Sequence, residues 1–528
     1  MGDDGQGASK NDNMETGAHG PQDNAMPKFK LRKQESVFKM HPIYKSEDFL
    51  ANFRDSWAKC SPYCDEKSGI DLRIYPFKLC TLQDFVSEED GIEKLMNEIV
   101  NEVEWKRLHT DFLEFHQSPD LSSVISEYLR EFYLYFRDEV MGWMERLTGE
   151  KLTHVSASCS LYNTGDRLLI HNDCVSDRRI AYVFYLSPWE VVKTWTDSMG
   201  GALELFKEDR ENMPNFPPIA KIFPRNNQFL FFHVNSKSWH QVGEVLSFDY
   251  PRVTINGWFH GPGKKHPIVE SSSNWDASIT NPAIEKPFEL SEWINGEYLE
   301  KSTKSTIQNH IEEHSQISLH KFLNPTKLTS ILEELKEDSN KLPWEIKSSA
   351  CERNCESLNL NSPEKLPENT AKLIELLQSR EFFHLLHEYT ELDLSGKNAK
   401  SPKCFLEMQR WRPECYTMLV NSAAKDATSE DEAGVLDAIL YLNDFAEAGT
   451  YIYVAQKDSK EADQESAMSD EEDEGDFEEE GPLIIQPKSG ALNLVYRNAD
   501  MARFGAYVSK HLKMGDEYVY ILVCSYKE

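Results

Sequence analysis

Two histidines and an aspartate have the types and the spacing to bind a ferrous ion: His171, Asp173 and His240. His171 and Asp173 are two residues apart, so on a β-strand both side chains would leave the same face. Neutral imidazoles with one carboxylate suit Fe(II), and three ligands on one face leave three positions open for a co-substrate and dioxygen. We therefore predict a metal site formed by these three residues.

Arg252, which follows His240 on a later strand, adds a binding group for a dicarboxylic co-substrate. A guanidinium is planar and always charged, so it binds a carboxylate through two hydrogen bonds better than lysine does. Thr254 would share the strand face of Arg252. The phenols of Tyr162 and Tyr185 could bond the same co-substrate, with an ordinary place in a half-buried strand wall as the alternative for each.

Chance and packing offer a second explanation for some of these residues. A His-x-Asp motif arises by chance about once in a chain with 16 histidines. His171 and Asp173 therefore gain their weight from the order in which His240 and Arg252 follow them. Trp239, next to a predicted ligand, and Trp258 could line a substrate pocket, and core packing is the alternative for both indoles.

Composition restricts the class of protein. A chain of 528 residues is too long for one ordinary core, so about two to four domains are expected. No apolar run approaches the ~20 residues that span a bilayer, and the first residues show neither an apolar nor an arginine-rich leader pattern. The ten cysteines lack zinc-site spacing, so reduced thiols are expected. We expect a soluble monomer in the cytoplasm and nucleus.

The charge is strongly acidic and unevenly spread. The formal net charge is −32, from 57 Lys and Arg against 89 Asp and Glu. Residues 458–480 hold 13 acids and one lysine. Such a run cannot bury a core, so a disordered acidic loop is predicted at 458–481. An acidic chain repels phosphates and attracts basic proteins, so we expect a basic protein partner, no direct nucleic-acid partner and no membrane partner.

Periodicity predicts an α+β protein. Apolar residues recur at three- and four-residue steps in 87–148, which indicates helices. From Leu152 onward, short runs rich in aromatic and β-branched residues are separated by turn signals, which indicates the strands of a barrel or sandwich. These runs are VSASCSLYN, RLLIHND, RIAYVFYLSPW, ALELFK, NQFLFFHV, HQVGEVL and RVTINGWFHG.

The second half of the chain repeats this order. After a predicted linker at 266–286 come a helical region and, beyond Cys404, another set of strands. Short matches keep their order along the chain, among them Leu203 with Tyr451 and Tyr185 with Tyr441. Residues 227–247 also align without a gap on 489–509, which matches Gly243 with Gly505. We interpret these matches as an internal duplication.

The second copy lacks the predicted ligands. In this alignment, the residues opposite His240, His171 and Asp173 are Ala502, Val420 and Ser422, and Val519 falls close to Arg252. We therefore predict that the second copy keeps its strands and binds no iron. The recurrence of Tyr185 as Tyr441 favours a packing role for that ring.

The sequence resembles the 2-oxoglutarate- and Fe(II)-dependent oxygenases, and within them the ribosomal prolyl 3-hydroxylase group. The resemblance extends over 28–528 and is most specific in LYNTGDRLLIHND, RIAYVFYLSPW, GGALELF, SWHQVGEV and PRVTINGWFHG. It implies tandem double-stranded β-helix domains of the jelly-roll or cupin-like type, each with flanking helices. The catalytic domain would lie at 28–265 after a disordered tail at 1–27, and a degenerate, non-catalytic domain would lie at 287–528.

The same resemblance implies the chemistry. His171, Asp173 and His240 would bind Fe(II), and Arg252, Tyr185 and Tyr162 would bind 2-oxoglutarate as co-substrate, with ascorbate as reductant. Members of the group hydroxylate C3 of a proline in a small-subunit ribosomal protein at the decoding centre, and thereby influence translation. A basic ribosomal protein of the small subunit is thus the expected substrate.

Two other functions stay open on the sequence alone. The substrate could be another proline position, a lysine, a nucleobase or a small molecule, because no residue by itself identifies proline. Alternatively, the protein could be an iron- or oxygen-sensing regulator or a scaffold whose second domain recruits partners. A complete ligand set in one half and its loss in the other favour catalysis in the first.

Overall fold

The computed structural model describes the chain in ten stretches. They are residues 36–188, 194–209, 212–263, 281–337, 341–361, 363–394, 403–419, 434–455, 481–498 and 500–527. The predicted tail at 1–27, the acidic residues 458–480 and most of the predicted linker lie outside these stretches, as do Val420 and Ser422. We refer to 36–263 as the first half and to 281–527 as the second half.

The first half begins with helices and short strands and continues as a series of longer strands. Its helices are α1 (Glu47–Lys59), α2 (Glu89–Glu102), α3 (Glu127–Tyr135) and α4 (Met141–Thr148), with a π-helical turn at Phe136–Val140 between the last two. Its strands are β1 (Tyr63–Asp65), β2 (Ile70–Arg73), β3 (Leu79–Leu82), β4 (Lys106–His109), β5 (Leu113–Gln117), β6 (His154–Tyr162), β7 (Arg167–His171), β8 (Arg178–Tyr185), β9 (Leu203–Glu208), β10 (Pro214–Ile222), β11 (Gln228–His233), β12 (His240–Val242) and β13 (Arg252–His260).

The second half has the same succession of helices followed by strands. Its helices are α5 (Lys301–His314), α6 (Pro325–Glu337), α7 (Glu368–Gln378) and α8 (Arg380–Thr390). Its strands are β14 (Asn281–Pro282), β15 (Gln316–Leu319), β16 (Trp344–Glu345), β17 (Glu356–Leu358), β18 (Lys403–Trp411), β19 (Val435–Tyr441), β20 (Tyr451–Ala455), β21 (Leu483–Ile485), β22 (Leu492–Arg497), β23 (Met501–Gly505) and β24 (Val519–Lys527).

Helix α1 illustrates how the helices attach to the first sheet. The Ser46 hydroxyl caps the first turn by accepting the Phe49 N–H at 3.3 Å. Phe49, Phe53 and Trp57 recur every four residues, so they form one buried stripe along the helix. The rings of Phe53 and Trp57 each lie 6.0 Å from the ring of Phe231 on β11, which fixes the helix against the sheet.

One large antiparallel sheet carries the candidate site. Its strand order is β1-β2-β3-β11-β8-β13-β6-β5-β7-β12-β9-β10, and β4 pairs with β5. Along β6, Val155, Ala157 and Cys159 pack into the core under the helices. Successive residues of a strand point to opposite faces, so Ser160 and Tyr162 point away from the helices. We call this second face, which faces away from the helices, the site face.

The second half contains two further sheets. The larger has the order β15-β22-β19-β24-β18-β17-β16, with β14 also paired to β18, and the smaller has the order β21-β20-β23. One apolar cluster lies between α5–α8 and the larger sheet. Another cluster, which includes Trp411, Tyr441 and Tyr451, lies among the strands.

Two expectations about the elements need correction. The region 87–148, predicted as helical, contains the hairpin of β4 and β5. Helix α2 stops at Glu102 because Val103 and Trp105 favour extended backbone, and the Thr110 hydroxyl accepts the Phe112 N–H at 3.1 Å in the turn. The predicted linker also ends early, since its residues 281–282 pair with β18.

The strand runs predicted for the first half agree with the structure. The seven predicted strand runs are β6 to β9 and β11 to β13. Strand β10 was not predicted, because its sequence, PNFPPIAKI, contains three prolines and is typical of a loop. All ten cysteines are free. Within the described stretches, no helix is long and apolar enough to cross a membrane.

A matched pair of isoleucines tests the assignment of the core. Ile255 on β13 is fully buried between β6 and β8, so Ile255→Ala should lower the free energy of unfolding by about 2–5 kcal/mol. Ile125 is 89% exposed, so Ile125→Ala should change it by less than about 0.5 kcal/mol. Urea unfolding followed by tryptophan fluorescence measures both. Equal effects of the two substitutions would contradict the assignment.

Candidate metal centre and co-substrate pocket

The pairing of β7 with β12 brings the two predicted histidine ligands together. His171 ends β7, His240 begins β12, and the antiparallel register places them directly opposite each other. Their ring centroids are 4.2 Å apart. The spacing predicted that Asp173 would continue β7. Asp173 instead lies in the turn that follows β7, with a left-handed φ of 61°. The turn nevertheless directs its carboxylate towards both histidines.

The distances between the three side chains suit a shared ion. His171 Nε2 lies 3.6 Å from Asp173 Oδ1, and His240 Nε2 lies 3.5 Å from Asp173 Oδ2. Half of either distance is shorter than a metal–ligand bond of ~2.1 Å, so one ion can reach both atoms of each pair. The histidine Nε2 atoms and the carboxylate oxygens therefore form a suitable donor set for Fe(II).

Backbone carbonyls fix which nitrogen of each imidazole is available to a metal. The Nδ1 of His171 lies 2.8 Å from the Leu169 carbonyl, and the Nδ1 of His240 lies 2.7 Å from the Ser238 carbonyl. A carbonyl only accepts, so each Nδ1 carries a proton, and in the neutral ring Nε2 then keeps the lone pair that can bind a metal. Partners of this kind orient metal-binding histidines and are important for metal affinity.

Burial and charge favour the protonation states that bind a metal. Burial, reinforced by the nearby His171, lowers the pKa of His240 to about 4, so its ring is neutral at pH 7. Burial alone would raise the pKa of Asp173, but the charges of His171, His240 and Arg178 outweigh it and lower that pKa. The carboxylate is therefore ionised, as metal coordination requires.

Two side chains anchor the turn that presents Asp173. At its start, the Ser238 hydroxyl donates to the Asn172 carbonyl at 2.7 Å. At its end, Asp177 Oδ1 accepts from His260 Nδ1 at 2.7 Å, while His260 Nε2 lies 2.9 Å from the Ser156 hydroxyl. A left-handed φ at a non-glycine residue is strained, so contacts of this kind are needed to hold Asp173 in place.

His154, Asp177 and His260 form a second group with metal-ligand chemistry. Its geometry differs from that of the first group, because the His260–Asp177 contact of 2.7 Å is a hydrogen bond and the rings of His154 and His260 are stacked with centroids 4.2 Å apart. Both ring nitrogens of His260 already have hydrogen-bond partners. We therefore assign this group to anchoring the ligand turn.

Arg252 lies on the site face with the residues that were predicted to accompany it. In the strand register Arg252 is opposite Tyr162, and Thr254 stands between Ser160 on one neighbouring strand and Tyr185 on the other. The guanidinium carbon lies 5.0 Å from the ring centroid of Tyr162 and 5.3 Å from that of Tyr185. The structure thus brings all four predicted co-substrate residues together.

The chemistry of this pocket fits a bound carboxylate. Arg252 is only 2% exposed, and its Nε has no hydrogen-bond partner within the described residues. No carboxylate of the described stretches forms an ion pair with it. An uncompensated buried charge is strongly destabilising, so the site is suited to an anion from outside. The backbone of Gly201 packs closely against the Arg252 side chain, since a Cβ at this position would come 3.3 Å from Arg252 Cδ.

The two tyrosines differ in their surroundings. Tyr162 stacks on Phe115 with ring centroids 4.6 Å apart, and burial raises the pKa of its phenol. Burial also raises the pKa of Tyr185, although the Arg252 guanidinium opposes that effect. Both phenols stay protonated and can donate to a carboxylate. Ser160 was not among the predicted site residues. It is buried, and its hydroxyl has no hydrogen-bond partner within the described residues. Its position two residues before Tyr162, on the same strand face, was the sequence signal that could have identified it.

The predicted substrate-pocket residues lie in different surroundings. Trp258 is on the site face, and the guanidinium carbon of Arg178 lies 3.5 Å from its ring centroid. Arg178 also contacts Asp173 Oδ1 at 3.5 Å, which joins the tryptophan to the metal ligands. Trp239 is 8% exposed and packs with Ile170, Phe206 and Ala350. A role for either indole in substrate binding stays a prediction.

In the second half, β23 pairs with β20 in the way that β12 pairs with β9 in the first half. His240 pairs with Leu205 and Val242 with Leu203, whereas Arg503 pairs with Tyr453 and Gly505 with Tyr451. Counted from the match of Leu203 with Tyr451, the counterpart of His240 would be Arg503, whereas the match of Gly243 with Gly505 gives Ala502. The counterpart of His240 therefore stays a prediction.

Arg503 and its partners leave no free donor set at that position. Its Nη1 lies 2.9 Å from Asp437 Oδ2, and the side chains of both residues are at most 1% exposed. The Ser525 hydroxyl donates to Asp437 Oδ1 at 2.7 Å. A buried cation at this place in the sheet would repel a metal ion.

Comparisons with known proteins agree with this geometry. Residues 157–260 match the family model of the 2OG-Fe(II) oxygenase superfamily, and residues 286–528 match the model described as the oxoglutarate and iron-dependent oxygenase degradation C-term. The prolyl 3-hydroxylase sudestada1 of Drosophila melanogaster is 36% identical over 516 residues, which cover 95% of this chain and 94% of that protein. The prolyl 3-hydroxylase OGFOD1 of Xenopus laevis is 28% identical over 525 residues, which cover 92% and 93%.

The fold, the donor set and these similarities place the chain among the 2-oxoglutarate- and Fe(II)-dependent oxygenases. Within that class it belongs to the prolyl 3-hydroxylase group, because the similarity to sudestada1 extends over nearly the whole length of both chains. The protein is therefore a 2-oxoglutarate-dependent dioxygenase that uses Fe(II), and ascorbate is typical of this family.

Arg252→Lys tests the carboxylate pocket. Lysine keeps the charge but cannot form the two-pronged hydrogen bond, so 2-oxoglutarate should bind roughly ten- to a hundredfold more weakly, equivalent to about 1.5–3 kcal/mol. Anaerobic calorimetry with the Fe(II)-loaded protein measures the dissociation constant. Arg225→Lys, at an arginine whose side chain is 51% exposed, serves as the control. An unchanged constant in Arg252→Lys would exclude the proposed contact.

His260→Ala tests the anchor of the ligand turn. Without the bond to Asp177, the turn should hold Asp173 less firmly, and Mn²⁺ should bind about tenfold more weakly. His260→Asn keeps an N–H near the position of Nδ1, so it should restore most of the affinity. If His260→Ala instead removes a second bound ion that persists in His171→Ala, the group is a metal site and the assignment is wrong.

Proposed function

We propose that this enzyme hydroxylates C3 of a prolyl residue in a basic protein of the small ribosomal subunit and thereby influences translation. One observation carries the oxygenase chemistry: a three-residue donor set shares one face of one sheet with Arg252, which is buried without an anionic partner in the described residues. The similarity to the prolyl 3-hydroxylases of Drosophila melanogaster and Xenopus laevis supports proline as the substrate residue. The net charge of −32 suits a basic substrate.

The proposed roles follow from the positions of the residues. His171, Asp173 and His240 would hold Fe(II), and Arg252, assisted by the phenols of Tyr162 and Tyr185, would hold the far carboxylate of 2-oxoglutarate. Thr254 and Ser160 add short hydroxyls to the same pocket. Together, bound Fe(II) and 2-oxoglutarate supply the oxidising chemistry, which uses dioxygen to yield succinate, CO2 and a hydroxylated product.

The substrate would approach on the side of the metal ligands that faces away from Arg252. There the Trp258 ring, covered by the Arg178 guanidinium, lies beside the Asp173 turn. The Phe112 ring stands edge-on to the His171 ring, with centroids 5.6 Å apart. Aromatic surfaces beside the ligands suit a prolyl ring, because its C–H groups pack well on the face of an aromatic ring.

We further propose that the second half is a degenerate double-stranded β-helix, giving a catalytic domain at 28–265 and a non-catalytic one at 287–528. The strand order supports this: β11-β8-β13-β6 in the first sheet corresponds to β22-β19-β24-β18 in the second. The registers of the strand pairs agree as well. Arg252 on β13 is opposite Tyr162 on β6, and Val519 on β24 is opposite Trp411 on β18. The buried Arg503–Asp437 pair is the reason for expecting no iron there.

Mass spectrometry of a hydroxylation reaction tests the function. Peptides of a small-subunit ribosomal protein are incubated with the Fe(II)-loaded full-length enzyme, 2-oxoglutarate and ascorbate, and proline should gain the mass of one oxygen atom. His171→Ala should abolish the product because it removes a ligand. His310→Ala, a substitution of the same type on α5, should not affect the reaction. Magnetic resonance of the product distinguishes C3 from C4.

The other outcomes separate the alternatives. Succinate formation without any change in the peptide would retain the oxygenase and exclude this substrate. If the protein binds iron but forms neither product nor succinate with any ribosomal peptide, the sensor or scaffold function replaces the proposed one.

A further inference from the structure

The strands that carry the two histidines, β7 and β12, each have one end in contact with the second half of the chain. Arg167 begins β7, four residues before His171, and Glu244 follows β12, four residues after His240. The strands are antiparallel, with Val242 opposite Leu168, so Arg167 and Glu244 lie at the same end of the pair. One short segment of the second half, residues 507–510, contacts both side chains.

Glu244 depends on the second half for its hydrogen bonds. It is 2% exposed, and the three donors that reach its carboxylate within the described residues all belong to residues 507–510. The Ser509 hydroxyl donates to Oε1, and the Lys510 N–H donates to Oε2 at 2.7 Å. The Tyr507 hydroxyl donates to Oε2 at 3.4 Å. A carboxyl group is tolerated at this depth only with such partners.

Arg167 is held by the same segment. Its guanidinium carbon lies 4.1 Å from the ring centroid of Tyr507, and its Nη1 pairs with Glu114 Oε2 at 3.0 Å. Burial, reinforced by Glu244, raises the pKa of the Tyr507 phenol, which therefore keeps the proton that it donates. Tyr507 thus contacts β7 through its ring and the end of β12 through its hydroxyl.

A third contact reaches the hairpin beside His171. Asp111, in the turn between β4 and β5, accepts the Leu419 N–H of the second half at 2.7 Å. The next residue is Phe112, whose ring stands edge-on to His171 and whose carbonyl accepts the Leu169 N–H at 3.1 Å. The second half therefore contacts three elements that surround the two histidines.

We propose that the second half positions the iron site: residues 507–510 clamp Arg167 and Glu244 and so hold the register of β7 and β12. This proposal rests on the proposed iron ligands. A slip of one residue between paired strands moves a side chain to the other face, so the geometry of His171 and His240 depends on this register. The second half would thus maintain the metal affinity of the first without binding metal itself.

Metal binding by variants of the full-length protein tests the proposal. Ser509→Ala and Glu244→Gln each weaken the clamp, and Mn²⁺ should bind about tenfold more weakly to both, as measured anaerobically by electron paramagnetic resonance of the free ion. Tyr507→Phe removes a single hydroxyl and serves as the milder variant if Glu244→Gln does not fold. Its affinity should fall between those of the wild type and Ser509→Ala.

Ser525→Ala is the matched control. It also removes a hydroxyl that donates to a buried carboxylate, that of Asp437, but it lies within the second half. It should lower the unfolding temperature and leave Mn²⁺ affinity unchanged. Equal affinities in Ser509→Ala and the wild type, or equal losses in Ser509→Ala and Ser525→Ala, would overturn the proposal. Absence of metal binding in the wild type would instead refute the proposed iron site.

Discussion

The antiparallel pairing of β7 with β12 is the interaction on which the candidate site depends. It places His171 opposite His240, and each Nδ1 is bonded to the backbone carbonyl two residues before it, which leaves both Nε2 atoms available to a metal. Side chains alternate along a strand, so no other register would direct both rings to one point. Asp173 completes the donor set from a strained turn that is held at both ends by side chains of neighbouring elements.

Electrostatics distinguishes the two halves more clearly than their strands do. The first half keeps a buried cation, Arg252, without an anionic partner in the described residues, together with a donor set spaced for an ion. The second half compensates its buried charges internally, through Arg503 with Asp437 and Arg353 with Glu407. Buried charges need partners. The buried charges of the second half therefore have partners within that half, whereas Arg252 is suited to an anion from outside.

Much of the site was predictable because its chemistry is encoded in residue types. The three ligands, Arg252 and Thr254 were predicted from type, order and strand alternation, and the structure places them together. The left-handed position of Asp173 and the anchor at His260 were not predictable, because both depend on contacts with residues far along the chain. The counterpart of His240 in the second half stays a prediction, because two short sequence matches give different residues, Ala502 and Arg503.

The sequence by itself determined the secondary structure of the sheet region and the set of groups able to bind Fe(II) and a carboxylate. Local periodicity and side-chain chemistry are properties of short segments, so they can be read without the fold. Only the tertiary structure decided the register of β7 against β12, the burial of Arg252 without an anionic partner in the described residues, and the contact of Glu244 with residues 507–510. These features arise from pairing between distant segments, and the energetic cost of burying charge decides which partners they require.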